Sequence, residues 1–257
     1  MDQDLVRDIS TLDLTERVTV NQPADLQSCV NLRKKTTAAR ICVGKAGTRL
    51  KTETYLRFRA DHAVAMDAVW SEVDEKVVDQ LGFLKVQSLC KNKDEYITRP
   101  DLGRRFSEDT LKIISENCRH DADVQIIAGD GLSSPAITSN LPDIYPMLMD
   151  GLKEKGYKVG DPIFVKYARV ATMDRISEAL HSKITIILIG ERPGLATGES
   201  LSAYMAYESS TKKPESQRTV VSNIHKNGMP PVEAGAQIIS IVDAMMEAKA
   251  SGIDLKL

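Results

Sequence analysis

Three short apolar runs in the second half of the chain constrain its fold more than any other feature. Their length and aliphatic content are typical of buried strands, and they are Val124-Gln125-Ile126-Ile127-Ala128, Ile163-Phe164-Val165 and Ile184-Thr185-Ile186-Ile187-Leu188-Ile189. Segments of helical periodicity lie between them, near residues 142–155 and 174–181. Because strands and helices alternate, the sequence predicts a parallel sheet with flanking helices.

The whole chain is predicted to be an α/β protein with three parts. Residues 1–30 form an amphipathic segment and a linker, residues 31–120 a small, mainly helical N-terminal part, and residues 121–257 a Rossmann-like domain. At 257 residues the chain is long enough to bury a substantial core and to form a pocket.

Two long helices are predicted outside the strand region. The first runs from about Glu53 to Ser71 with Thr52 as its N-cap, and it carries two apolar faces. Either both faces are buried within the chain, or one is buried against another subunit. The second helix runs from about Pro231 to Ala250 and is predicted to stop at Gly252.

The charge balance excludes several classes of partner. With 34 basic and 36 acidic residues the net charge is -2, so no footprint for nucleic acid or an anionic membrane is present. No stretch approaches the roughly 20 apolar residues of a membrane span. Two of the first four residues, Asp2 and Asp4, are acidic where a secretory signal is basic, which predicts a protein that stays inside the cell.

Cysteine and histidine spacing indicates neither a metal site nor a disulfide framework. The four cysteines lie far apart without a Cys-x-x-Cys pair, and the histidines lack any metal-ligand pattern. We therefore predict reduced thiols and assign no histidine to catalysis. These residues are Cys29, Cys42, Cys90, Cys118, His62, His120, His181 and His225.

Ligands of open parallel sheets bind beyond the carboxyl ends of the strands, so the loops that follow the apolar runs are candidate sites. The first loop, Gly129-Asp130-Gly131-Leu132-Ser133-Ser134, is close to a dinucleotide fingerprint, and Asp150 lies about 20 residues further on. However, Asp130 would repel a pyrophosphate, and Pro135 follows the third small position. A tight structural turn explains this loop without a ligand.

Two charged segments remain. Glu191 and Arg192 follow the most buried predicted strand directly, so Glu191 either accepts hydrogen bonds from a ligand rich in amides or pairs with Arg192 or Arg169. A loop with three arginines precedes a helix that is predicted to start at Ser107. These arginines either clamp a phosphate or a partner's carboxylates, or form salt bridges within the chain. They are Arg99, Arg104 and Arg105.

Five strings occur along the chain in the order found in the small subunit of ethanolamine ammonia-lyase, which this sequence resembles from about Asn31 to its C-terminus. They are Arg99-Pro100-Asp101-Leu102-Gly103-Arg104-Arg105, Asp130-Gly131-Leu132-Ser133, Arg169-Val170, Gly190-Glu191-Arg192-Pro193-Gly194-Leu195 and Ser222-Asn223-Ile224.

The resemblance implies a subunit of an enzyme that converts ethanolamine to acetaldehyde and ammonia with adenosylcobalamin (coenzyme B12). It also implies a large-subunit partner, a TIM barrel that carries the radical chemistry, in a hetero-oligomer of six small and six large subunits. The cofactor carries the difficult step in such enzymes, so this chain is expected to bind cobalamin and to be inactive alone.

The family's cobalamin contacts fall on Val170, Glu191 and Val220 of this sequence. The family commonly has cysteine where this chain has Val220. A contact made by packing or by the backbone survives that difference, whereas a contact that needs sulfur does not.

The string Asn223-Ile224-His225-Lys226-Asn227-Gly228 is similar to the Asp-x-His-x-x-Gly loop through which some cobalamin proteins place a histidine on cobalt. The leading aspartate, which would orient the imidazole, is missing here. The string also precedes the final helix instead of following a first strand. We therefore predict that His225 does not ligate cobalt.

Leu5, Ile9 and Leu12 form one apolar stripe at the N-terminus. In the family that the sequence resembles, ethanolamine breakdown is commonly enclosed in a bacterial microcompartment within the cytoplasm, and short N-terminal helices bring cargo inside. Residues 1–14 are either such a docking helix or a terminus without a function. Two rival functions for the chain also stay open, which are a stand-alone nucleotide- or nicotinamide-binding protein and a non-catalytic scaffold.

Overall fold

The structure is a computed structural model that describes residues 18–35 and 40–256. The predicted N-terminal docking helix lies outside the described residues. The described chain divides into two compact units. One comprises the residues up to Asp67 together with Gly194–Thr197, and the other comprises Ala68–Pro193 and the residues from Gly198 onward.

The first unit contains a short helix, a small hairpin and most of a long helix. Helix α1 is Leu26–Lys35, strands β1 (Lys45–Ala46) and β2 (Arg49–Leu50) pair antiparallel, and α2 is Thr52–Trp70. The predicted long helix is confirmed as α2, of which Thr52 is the first residue and not the cap. The predicted linker up to residue 30 is wrong over its last part, because residues 26–30 belong to α1.

The second unit is built on a sheet of six strands in the order β3-β5-β4-β6-β7-β8. The first four in this order are parallel, and β7 and β8 are antiparallel to their neighbours. The strands are β3 (Leu84–Gln87), β4 (Val124–Gly129), β5 (Ile163–Lys166), β6 (Ile184–Gly190), β7 (Leu201–Tyr207) and β8 (Thr219–Ile224).

The three predicted strands are confirmed as β4, β5 and β6, and they are parallel as predicted. A wholly parallel sheet is wrong, because β7 returns beside β6 in the opposite direction. The physical reason is the link between them, residues 191–200, which contains no helix. A parallel neighbour needs a longer crossover, usually through a helix, whereas a short link joins antiparallel strands.

Six helices belong to the second unit, which are α3 (Glu75–Gln80), α4 (Lys93–Thr98), α5 (Glu108–Asn117), α6 (Ser134–Glu154), α7 (Thr172–Leu180) and α8 (Pro231–Ala248). The predicted N-cap of α5 is confirmed, since the Ser107 hydroxyl accepts a bond of 3.1 Å from the Thr110 N–H. The predicted stop at Gly252 is wrong. The last helix ends earlier, where Lys249 adopts a left-handed conformation with φ 49°.

The helices cover both faces of the sheet in a three-layer arrangement. Helices α6 and α8 contribute Leu141 and Ile238 to a core that includes Ile126 of β4. Ile127, the next residue along β4, points to the opposite face and packs with Ile176 of α7. Successive residues of β4 are therefore buried on opposite faces, and each fully buried isoleucine contributes about 2 kcal/mol to stability.

No helix within the described part of the chain is long and apolar enough to cross a membrane.

Candidate functional site

The backbone of the loop after β4 packs closely against the end of β6. A Cβ atom on Gly131 would overlap the carbonyl oxygen of Gly190, and one on Gly190 would overlap the backbone of Ser133. Space for a methyl group is lacking between this loop and the end of β6. Close packing against Gly190 at the end of β6 therefore explains the glycine at position 131 of this loop, and the geometry does not favour a pyrophosphate site.

Asp130 in the same loop is used within the protein. Its side chain is 1% exposed, accepts a bond of 2.7 Å from the Ser134 hydroxyl and lies 3.8 Å from the Lys93 ammonium. Burial raises the pKa of Asp130 and lowers the pKa of Lys93, and each charge partly opposes the shift of the other. Lys93 also lies over the Tyr96 and Tyr167 rings, 5.4 and 5.8 Å from their centroids.

Val170 and Val220 line one pocket, although 50 residues of sequence separate them. Val170 lies between the end of β5 and the start of α7, and Val220 lies on β8. The pocket has a volume of about 280 Å³ and is also lined by Tyr204 of β7, which is paired with Val220 across the two strands. Val220 is 44% exposed, so it offers an apolar surface that the chain itself leaves open.

Glu191 joins this pocket through Tyr204. The Tyr204 hydroxyl donates a hydrogen bond of 2.7 Å to Oε1 of Glu191. The alternative pairing of Glu191 with Arg192 or Arg169 is not formed among the described residues, where Arg169 has other partners. Arg169 instead donates to the Tyr96 carbonyl oxygen at 2.9 Å and stacks on the Tyr96 ring.

The arginine loop contributes one side chain to the same pocket. Arg99 donates two bonds of 2.9 Å to the Asp101 carboxylate, and Arg105 donates a third of 3.1 Å. Two of the three predicted ligand arginines are therefore paired within the loop, which is the salt-bridge alternative. Arg104 is the exception and lines the pocket beside Val170.

A buried ion pair connects the residue before β8 with α7, next to the pocket. Arg218 donates to Asp174 at 2.7 Å, and both side chains are less than a tenth exposed. The Ser209 hydroxyl donates a further bond of 2.6 Å to the same carboxylate. Burial raises the pKa of Asp174, while Ser209 and Arg218 oppose that shift. The pair fixes the start of β8 against the start of α7, and hence Val220 relative to Val170.

Both ring nitrogens of His225 take part in bonds within its own turn. Nε2 lies 2.9 Å from the Asn223 side-chain oxygen, and Nδ1 accepts a bond of 3.3 Å from the Asn227 N–H. The buried imidazole thus shapes the turn before α8.

Tyr204 and Arg218, which together connect the three predicted site residues, are not predicted from the sequence. Tyr204 lies on β7, for which the sequence predicts no strand. Arg218 lies two residues before Val220, but nothing in the local sequence shows that Asp174 is its partner.

Comparisons with known proteins point to the same family over most of the chain. The family described as ethanolamine ammonia-lyase light chain (EutC) matches residues 27–256. The ethanolamine ammonia-lyase small subunit of Clostridium acetobutylicum is 70% identical over 224 residues, which cover 87% of this chain and 93% of that protein. The small subunit of Clostridium tetani is 52% identical over 100% of this chain and 87% of its own length. That of Listeria monocytogenes is 48% identical, with coverages of 98% and 85%. The chain therefore belongs to the ethanolamine ammonia-lyase light chain family and is a component of a lyase.

Proposed function

We propose that this chain is the small subunit of an adenosylcobalamin-dependent ethanolamine ammonia-lyase and that it forms one wall of the cobalamin site. The observation that carries the proposal is the convergence of Val170, Val220 and Glu191. Two of them line one pocket, and the third is hydrogen-bonded to a residue of that pocket. The pairing across β7 and β8 brings Tyr204, and with it Glu191, beside Val220.

The chemistry of these residues fits an edge of the cofactor. Cobalamin has an apolar macrocycle whose rim carries amide side chains. Val170 and the half-exposed Val220 offer an apolar surface, while the Glu191 carboxylate offers an acceptor for amide N–H groups. A pocket of about 280 Å³ encloses only part of so large a ligand, which is expected where a second subunit completes the site.

In this proposal the chain binds and orients the cofactor, while the partner subunit carries the reaction. When bound, adenosylcobalamin supplies the radical chemistry that converts ethanolamine to acetaldehyde and ammonia. Val170 and Val220 exclude water from the edge of the cofactor, and Tyr204 holds Glu191 in place for it. The chain alone is inactive.

The partner is a large subunit, a TIM barrel, in an assembly of six small and six large subunits. The relatives' description as small subunits supports a larger partner. Exposed apolar side chains on α2 support it too, since Tyr55 and Met66 are 49% and 51% exposed and lie about 20° apart around the helix axis. Side chains of this kind aligned on one helix mark an interaction surface.

The finer description of the fold and of the location belongs to the same proposal. The parallel strands with helices on both faces support a Rossmann-like domain that contains residues 121–257 and, through β3, takes in part of the mainly helical residues 31–120. The location is the bacterial cytoplasm, within a microcompartment, with the docking segment and linker in the residues before α1.

Equilibrium binding tests the proposal. The chain, with and without its large subunit, is titrated with adenosylcobalamin and with nicotinamide cofactor while absorbance is recorded. We expect tight cobalamin binding by the assembled enzyme and no nicotinamide binding. Nicotinamide binding by the isolated chain would favour the stand-alone alternative, and cobalamin binding by the large subunit that is unchanged by this chain would favour a scaffold.

A further inference from the structure

Arg104 is a surface cation without a charged partner in the part of the chain that the structure describes. Its neighbours Arg99 and Arg105 both bond to Asp101, which saturates the one carboxylate within the loop. Arg104 forms no hydrogen bond or ion pair among the described residues, although its side chain is exposed at the rim of two pockets.

The loop holds Arg104 in a fixed place. The Gly103 carbonyl oxygen accepts a bond of 2.8 Å from the Arg169 N–H, and the Arg105 carbonyl oxygen accepts one of 2.9 Å from the Leu89 N–H. A Cβ atom on Gly103 would lie 2.9 Å from Cγ of Arg169. The absence of a side chain at Gly103 therefore lets the loop press against the residue before Val170, so Arg104 is held beside the proposed cobalamin contact.

A second, larger pocket of about 540 Å³ shares Arg104 with the first. Five cationic side chains and three carboxylates line it. Arg218 is compensated by Asp174 and Arg105 by Asp101. The third carboxylate, Glu215, lies 3.3 Å from Arg218. Arg104, Arg175 and Lys213 therefore have no carboxylate partner within the lining, and five cations against three carboxylates leave a net excess of two positive charges.

The pairings of Arg175 and Lys213 are weak. Arg175 lies 3.8 Å from Glu178, whose other oxygen already accepts bonds from Ser210 and Thr211. Lys213 donates to a carbonyl oxygen and to no carboxylate. The pocket therefore carries uncompensated positive charge facing solvent, which is the environment that an anion requires.

We propose that Arg104, Arg175 and Lys213 form an anion subsite for the phosphodiester in the nucleotide tail of the cofactor whose corrin edge contacts Val170 and Val220. The inference rests on the proposed function and extends it to a second pocket. A phosphodiester has one negative charge and two free oxygens, which suit the fork of a guanidinium and the point charge of an ammonium. Arg104 lines both pockets, so one ligand that reaches from the first to the second passes this side chain.

The test compares two corrinoids on the assembled enzyme. Adenosylcobalamin contains the phosphodiester and nucleotide, whereas adenosylcobinamide lacks both. Dissociation constants are measured from corrinoid absorbance for the wild type, Arg104→Met and Arg119→Met. The last variant removes an exposed arginine that lies before β4, outside both pockets.

We expect Arg104→Met to weaken adenosylcobalamin binding roughly tenfold or more, since a hydrogen bond to a charged group is lost. The dissociation constant of Arg104→Met for adenosylcobinamide is expected to stay within about twofold of the wild-type value. Arg119→Met is expected to change the dissociation constant of neither corrinoid. Inorganic phosphate should compete with adenosylcobalamin in the wild type and less in Arg104→Met. Arg175→Met should repeat the pattern of Arg104→Met more weakly.

Three results would overturn the subsite. In the first, Arg104→Met weakens the binding of both corrinoids equally, or weakens the binding of neither. In the second, phosphate binds the wild type in an Arg104-dependent way without competing with adenosylcobalamin, which would show a site for free phosphate. In the third, Arg104→Met weakens association of the two subunits, which would show that the arginine holds a carboxylate of the partner. If the wild-type assembly binds neither corrinoid, the proposed function fails and the subsite fails with it. Binding of both without dependence on Arg104 refutes the subsite alone.

Discussion

The Tyr204 hydroxyl donates a hydrogen bond of 2.7 Å to the Glu191 carboxylate, and this bond ties the end of β6 to a pocket over β7 and β8. Burial, reinforced by the bond to Glu191, raises the pKa of the Tyr204 phenol to about 12. The phenol therefore stays protonated throughout the neutral range and keeps donating. Glu191 is positioned by a neighbour that does not titrate near neutral pH.

Replacing Tyr204 by phenylalanine removes the donor and keeps the ring. We expect adenosylcobalamin affinity of the assembled enzyme to fall about three- to tenfold, because a typical hydrogen bond contributes about 1 kcal/mol. The free energy of unfolding of the chain should fall by no more than the loss of this one bond, about 1 kcal/mol, since the ring still packs. An affinity for adenosylcobalamin equal to that of the wild type would show that Glu191 needs no positioning.

Replacing Glu191 by alanine should weaken cofactor retention more than folding. An acceptor that is lost from a ligand contact costs about 1 to 3 kcal/mol, or about 5- to 150-fold in the dissociation constant. Glu191→Gln is the matched control, because it keeps an acceptor oxygen without the charge, and it should lie between alanine and the wild type. If Glu191→Ala lowers the melting temperature sharply and leaves cobalamin affinity unchanged, the residue is structural.

The parallel core of the fold could be predicted from the sequence, and the antiparallel edge could not. Strands β4 and β6 are buried along their whole length, so unbroken aliphatic runs mark them. Strand β7 is buried at five of its seven positions, but it mixes Leu201 and Met205 with small and aromatic residues and contains no valine or isoleucine. The start of α6 was predicted late, because Pro142 is typical of a helix start but lies inside this helix.

Gly190 is predicted to tolerate no side chain. A Cβ atom there would overlap the backbone of Ser133, which cannot move aside as a side chain can. We expect Gly190→Ala to lower the free energy of unfolding by about 2 kcal/mol or more. Gly194→Ala, whose Cβ would lie 3.9 Å from its nearest neighbour, should change it by less than about 0.5 kcal/mol. Equal unfolding midpoints in urea for the two variants would contradict the packing role of Gly190.

The candidate site was only partly predictable for a related reason. The positions of Val170, Glu191 and Val220 follow from resemblance to a family, whereas their meeting in space depends on Tyr204 and on the register of β7 with β8. Pairing register is a tertiary property that a single sequence does not reveal when one strand goes unrecognised.

Asp101 is expected to make the arginine loop sensitive to acid. The bond from Arg99 and its charge hold the pKa of Asp101 at about 2, below the ordinary value near 3.9. A depressed pKa stabilises the folded state above the unfolded value, and that contribution is lost as the pH falls through the folded value. The difference in urea midpoint between the wild type and Asp101→Asn should therefore be constant above about pH 5 and vanish towards pH 2.

The control for this measurement is Asp150→Asn. It removes an exposed carboxylate of α6 that has no ion-pair partner among the described residues. The difference in urea midpoint between Asp150→Asn and the wild type should not vanish between pH 5 and pH 2. If both variants lose their differences together, the effect reflects the total charge of the chain and not the Arg99–Asp101 contact.

The last prediction concerns the exposed stripe on α2. Tyr55 and Met66 are 49% and 51% exposed and lie about 20° apart around the helix axis, so the chain itself gains little from burying them. If the large subunit covers this stripe, a buried carboxylate there is costly, and Met66→Glu should weaken association by tenfold or more while the isolated chain unfolds as before. Val64→Glu supplies the control, because Val64 is 50% exposed but lies about 200° around the helix axis from Met66. Sedimentation or interferometry of mixed subunits measures the dissociation constant. Equal losses for Met66→Glu and Val64→Glu would show a general effect of charge on α2, and no loss for either would place the partner elsewhere on the chain.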